Sequence, residues 1–92
     1  MYIHLGSKRS VPDKRIVGIF DLDGEVTAKI TRDFLAAAQK SGIVIPAGED
    51  IPRSFVLCED KEGEEVILSH ISSKTLAQRT EDSNEIRASG AV

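Results

Sequence analysis

Two apolar segments, Ser54-Phe55-Val56-Leu57-Cys58-Glu59 and Glu65-Val66-Ile67-Leu68-Ser69, bracket the polar stretch Asp60-Lys61-Glu62-Gly63-Glu64. No other feature restricts the fold as much. Each segment is short, rich in aromatic and branched residues, and bounded by turn chemistry, so the pair reads as a β-hairpin. A hairpin alone is marginal in water and needs further strands or a helix to cover its apolar side chains. The rest of the chain must supply them.

The N-terminal half offers both. Tyr2-Ile3-His4-Leu5 alternates, with Ile3 and Leu5 on one face and Tyr2 and His4 on the other. Residues 6–10 read as a turn, and Val11-Pro12 resumes an extended chain with Pro12 at a strand start or edge. Arg15-Ile16-Val17-Gly18-Ile19-Phe20 is a near-continuous apolar run, the pattern of a buried central strand. Gly18 within it points to a bulge or to close approach of another backbone. From Ala28 to Lys40 the spacing is helical, with Thr27 as N-cap, Ile30, Phe34 and Ala38 on one stripe, Leu35 beside it, and Gly42 placed to end the helix. Ile43-Val44-Ile45 reads as a short strand, and residues 46–52 as a loop. Ser72 or Ser73 caps a helix expected to run to about Arg79, with Ile71 and Leu76 forming a hydrophobic staple. The expected fold class is α+β: one domain over residues 1–79, with a small mixed sheet of four or five strands and two helices. The acidic tail, residues 80–92, has few and small apolar side chains and is expected to be disordered.

Ninety-two residues suffice for one core, and a domain of this size buries only ~60–65% of its unfolded surface, so association would add stability. No apolar run approaches the ~20 residues a membrane-spanning helix needs. Lys8, Arg9, Asp13, Lys14 and Arg15 interrupt the stretch where a secretory h-region would lie, and a lone cysteine, Cys58, suits a reducing compartment. The expected location is the cytoplasm.

Net charge is −3, but the distribution is uneven. Residues 1–40 carry seven basic and five acidic side chains, whereas residues 41–92 carry five basic and ten acidic ones. A folded subunit can therefore present one basic region despite its acidic total.

Catalytic constellations are weak. Ile19-Phe20-Asp21-Leu22-Asp23-Gly24 resembles the first motif of haloacid-dehalogenase-type phosphatases, in which paired carboxylates work beside a magnesium ion. The threonine usual after that glycine is Glu25 here, and the remaining chain is short for such a domain. The same acids fail as an EF-hand. Counted from Asp21, the glycine is fourth rather than sixth and the twelfth residue is Arg32. His4, His70 and Cys58 are too few for a metal centre, and no nucleophile motif or glycine-rich phosphate loop occurs. Neither enzymatic activity, nor a cofactor, nor a small-molecule substrate is expected.

Taken together, several segments resemble the RemA/RemB family of bacterial biofilm-matrix regulators. These are Met1-Tyr2-Ile3-His4-Leu5-Gly6, Ile16-Val17-Gly18-Ile19-Phe20-Asp21, Pro52-Arg53-Ser54, and Ile67-Leu68-Ser69 followed by Ser72-Ser73-Lys74-Thr75-Leu76 and Arg79. The resemblance covers about residues 1–79. It implies a transcriptional regulator of matrix genes that assembles into ring-like homo-oligomers and binds duplex DNA through repeated arginines. Such multivalency lets an acidic subunit hold a polyanion. The resemblance implies a role for Arg15, which enters the second long strand, and for Arg53. The family's arginine pair is Pro52-Arg53 here, leaving one arginine. Lys14 and Arg32 are expected to assist. The rival expectation is an adaptor module that binds protein partners without DNA.

Overall fold

The computed structural model describes residues 1–7, 9–22 and 29–90, with side chains through Asp82. In chain order the elements are β1 (Tyr2–Gly6), β2 (Arg9–Pro12), a 3-10 turn (Asp13–Arg15), β3 (Ile16–Asp21), α1 (Lys29–Lys40), β4 (Val44–Pro46), β5 (Ser54–Asp60), β6 (Gly63–Ser69) and α2 (Ser73–Gly90). The class is α+β, as expected, but the strands divide into two sheets. β1 and β2 form an antiparallel pair of their own, and the other four make a mixed sheet in the order β3-β5-β6-β4. Among the described residues no helix is long and apolar enough to cross a membrane.

The expected hairpin forms the centre of the larger sheet. β5 and β6 pair from Ser54 opposite Ser69 to Asp60 opposite Gly63. Alternation along them feeds two cores. Val56, Cys58 and Ile67 point to one face, where they pack with Ile3, Leu5, Val11, Ala47 and Leu76. Phe55, Leu57, Val66 and Leu68 point to the other, toward Phe34, Leu35 and Ala38 of α1. The β1–β2 pair and α2 thus close one side of the sheet while α1 crosses the other, carrying the chain from the β3 edge to the β4 edge.

The first core is sealed by two buried serines. Ser54 Oγ donates to the Ile71 carbonyl at 2.7 Å. Ser69 Oγ donates to the Leu5 carbonyl and accepts the Ile71 N–H at 3.1 Å. Both side chains are fully buried, where an unpaired hydroxyl would be costly, and each is satisfied by backbone it holds in place. Ser72 caps α2 by accepting the Thr75 N–H at 3.2 Å, and Ile71 and Leu76 join the same apolar cluster as the staple requires. Arg79 fastens the helix to β1 by donating from Nη1 to the His4 carbonyl at 2.9 Å.

α1 ends in a Schellman arrangement. The Gly42 N–H donates to Gln39 O at 3.1 Å and the Ile43 N–H to Ala38 O at 3.2 Å, with Gly42 at φ 78°. The expected cap at Thr27 and the first helical residue, Ala28, lie outside the described residues, as do Asp23, Gly24 and Glu25.

The structure departs from the sequence expectation in β3, α1 and α2, and in the turn expected over residues 6–10, of which Gly6 belongs to β1 and Arg9 and Ser10 to β2. β3 is an edge strand rather than a central one, and Val17 and Phe20 remain 58% and 40% exposed. An apolar run reports side chains suited to burial on both faces, not the number of neighbouring strands. Its register shifts between Ile16 and Gly18 against β5, so the bulge expected at Gly18 is present, and a Cβ there would sit 2.9 Å from the Phe20 ring. Ile30, expected on the buried stripe of α1, is 83% exposed, because the helix packs on the sheet through its later residues Phe34, Leu35 and Ala38. Lastly, α2 continues to Gly90, well past the end expected near Arg79. No proline or glycine interrupts residues 80–89, and nothing local stops the helix.

Candidate functional site

Three of the four basic residues singled out by sequence lie at two ends of the sheet, and the fourth, Arg32, lies on α1. Arg53 immediately precedes β5, and the register sets Ser54 opposite Asp21 at the C-terminal end of β3. The Arg53 backbone is fixed on both sides: its N–H donates to Ser69 O at 2.8 Å and its carbonyl accepts the Leu22 N–H at 2.9 Å. Arg53 is exposed. α1 follows β3 in the chain, its Thr31 borders a shallow groove with Phe20 and Phe55, and Lys29 and Arg32 in its first turns are exposed.

Lys14 and Arg15 lie at the other end. The 3-10 turn that carries them is anchored by Asp13, which is buried. The Asp13 N–H donates to Met1 O at 2.9 Å, and its carboxylate lies 3.7 Å from the Met1 amine. Ile16 then pairs with Cys58, so Arg15 meets the tip of the β5–β6 hairpin. Measured along β5 at ~3.3 Å per residue, the two ends are about 20 Å apart. One subunit therefore sets Arg53 and the pair Lys14 and Arg15 at opposite ends of the sheet, with Arg32 on α1, and does not unite the four.

Arg15 meets acids of its own chain. Arg15 Nε is 2.8 Å from Asp60 Oδ2, and its Nη2 is 3.9 Å from Glu65 Oε2. These three residues line a shallow cleft with Glu62, Gly63 and Glu64. Asp60 and Glu65 were read only as turn and strand residues in the sequence. The signal that could have flagged them is an arginine entering a strand that pairs antiparallel with the arm leading into an acidic turn.

Other candidates resolve simply. Cys58 is fully buried, and burial pushes its thiol above the ordinary 9.0, with Arg15 pulling weakly the other way. A thiol held neutral in a core is a packing group rather than a nucleophile. His4 is exposed, with Nδ1 3.5 Å from Ser10 Oγ, and His70 follows the end of β6. Asp21 closes β3, while its expected partner Asp23 is outside the described residues. Among the described residues no group of His, Cys, Asp or Glu is arranged to hold a metal ion.

The described residues present a charged cleft at the hairpin tip, exposed basic side chains elsewhere on the sheet and one partly covered apolar face. Its family follows from comparison with known proteins. The model of the RemA-like family, described as extracellular matrix regulatory protein A-like, matches residues 2–80. Extracellular matrix regulatory protein B of Bacillus subtilis (strain 168) is 34% identical over 86 residues, spanning 94% of this chain and 98% of that protein. The chain belongs to the RemA/RemB family of extracellular matrix regulators.

Proposed function

We propose that this chain is a non-enzymatic cytoplasmic regulator of extracellular-matrix genes that self-associates and binds the phosphate backbone of duplex DNA. The observation that carries this reading is the exposed position of Arg53 at the start of β5, with exposed Arg32 on a second element, α1. Phosphate contacts of this kind position a protein on DNA without reading sequence, and each adds a salt-dependent increment. A single subunit with two or three such contacts binds weakly. Copies arranged with these residues on one rim bind by multivalency. Lys14 and Arg15, at the opposite end of the sheet from Arg53, are secondary contacts. Family membership and the name of the Bacillus subtilis relative support the regulatory role.

The test is fluorescence anisotropy on a labelled duplex across a salt series, with light scattering to follow assembly. Arg53→Ala with Arg32→Ala should weaken binding by about tenfold or more and flatten the salt dependence. Unchanged affinity in that variant would rule the assignment out. A second reading, an adaptor that binds protein partners, draws on the exposed apolar side chains Val17, Phe20 and Ile30. A discrete assembly indifferent to DNA at every salt concentration would favour it.

A further inference from the structure

Between Glu59 and Glu65 the hairpin tip carries five carboxylates and one ammonium, Lys61. The register sets Glu59 directly opposite Glu64, and like charges in that position repel. Arg15 supplies local compensation, through the contacts of 2.8 Å to Asp60 and 3.9 Å to Glu65. Asp60 is fixed for the role. Its Oδ1 accepts the Glu62 N–H at 2.8 Å, so one oxygen closes the turn and the other faces the guanidinium. Arg15 is fixed as well, at the end of the 3-10 turn and one residue before the strand pairing begins. The ion pair therefore forms between two backbones already held in place, and little main-chain entropy is lost in making it.

A guanidinium offers the same planar fork of donors to a carboxylate and to a phosphate. Arg15 keeps 24% of its side chain exposed, so a polyanion can approach it, yet two acids of its own chain already lie against it as ion-pair partners, while its Nε makes no hydrogen bond to either. We propose that the acidic tip of the β5–β6 hairpin is an intramolecular competitor for Arg15, with Asp60 and Glu65 occupying the guanidinium that a DNA phosphate would otherwise take. The inference rests on the DNA-binding reading above and specifies how one of its contacts is regulated. Arg15 contributes only when the two carboxylates are displaced or neutralised, and in an assembly this restraint is repeated in every subunit.

Two charge-matched variants separate this contact from the general field of the tip. Asp60→Asn with Glu65→Gln neutralises the acids that touch Arg15 and keeps an oxygen to close the turn. Glu62→Gln with Glu64→Gln removes the same charge from the same tip, at side chains outside the Arg15 ion pairs. Circular dichroism and thermal melting confirm that each full-length variant is folded, and anisotropy on a labelled duplex at one moderate salt concentration reads affinity. The first variant should bind about tenfold more tightly than the parent and the second about threefold, since exposed charges act mainly through a screened field. Adding Arg15→Ala to the first variant should remove its excess. Binding by the first variant where the parent shows none also supports the competitor. Equal gains in the two variants, or a gain that survives Arg15→Ala, overturn it while leaving DNA binding intact. No binding by the parent or any variant overturns both readings together.

Discussion

The two faces of the four-stranded sheet are built from the same strands and finished differently. On the face toward β1, β2 and α2, the described core includes Leu5, Val56, Ile67 and Leu76 with essentially no exposure, closed by the serine hydrogen bonds to Leu5 and Ile71. On the face toward α1, three rings stack in a row, Phe20 on Phe55 at 4.7 Å and Phe34 on Phe55 at 6.1 Å between centroids, and the row is open at its outer end. Phe20 is 40% exposed and borders a shallow groove with Thr31, Phe34 and Leu57. One helix of twelve residues spans this face, against a strand pair and a helix on the other. A chain this small has little surface with which to finish two cores, and the second stays partly open in the single subunit.

Substitutions in the sealed face should have the largest effect on folding. Leu76→Ala removes a fully buried side chain that staples α2 to the β1–β2 pair, and should cost about 3 kcal/mol in a urea titration. A loss under about 1 kcal/mol would mean that the face repacks freely and is not sealed. Ser69→Ala is smaller in volume but leaves the Leu5 carbonyl and the Ile71 N–H without their buried partner. We expect a loss of about 2 kcal/mol, accompanied by faster amide exchange at Ile71. A near-neutral result with unchanged exchange would place the tie between the sheets elsewhere.

These contrasts were only partly legible in the sequence. The hairpin, the alternation of Ile3 and Leu5, the Gly42 stop and the Ser72 cap depend on neighbours a few residues away, and all appear where local chemistry put them. Position in the sheet is a non-local property. The apolar run of β3 could not reveal that it sits at an edge, nor could the stripe of α1 reveal that Ile30 is exposed. The site shows the same division. Arg15 and Arg53 were visible as basic residues entering strands, but only the antiparallel register sends one to an acidic tip and the other to the opposite end of the sheet. The course of α1 follows from the crossover between the two edge strands, and no local pattern encodes it.

The smallest expected change in folding stability sharpens the comparison most. Ile30 is 83% exposed at the start of α1, so Ile30→Lys removes almost no buried area from the subunit. Lysine has a slightly better helix propensity than isoleucine, while a cation in the first turn opposes the helix dipole. The two effects nearly cancel, and unfolding free energy should move by less than about 0.5 kcal/mol. A loss above about 1 kcal/mol would mean that Ile30 is covered within the subunit, and the contrast between the faces would fail. If copies meet across the open face, the new charge must instead be desolvated at the contact, and light scattering should show the assembly falling toward single subunits while the fold persists. An assembly of unchanged mass, with stability equally unchanged, would move the contact to another surface, the nearest candidate being the exposed side of β1 at Tyr2, which is 69% accessible.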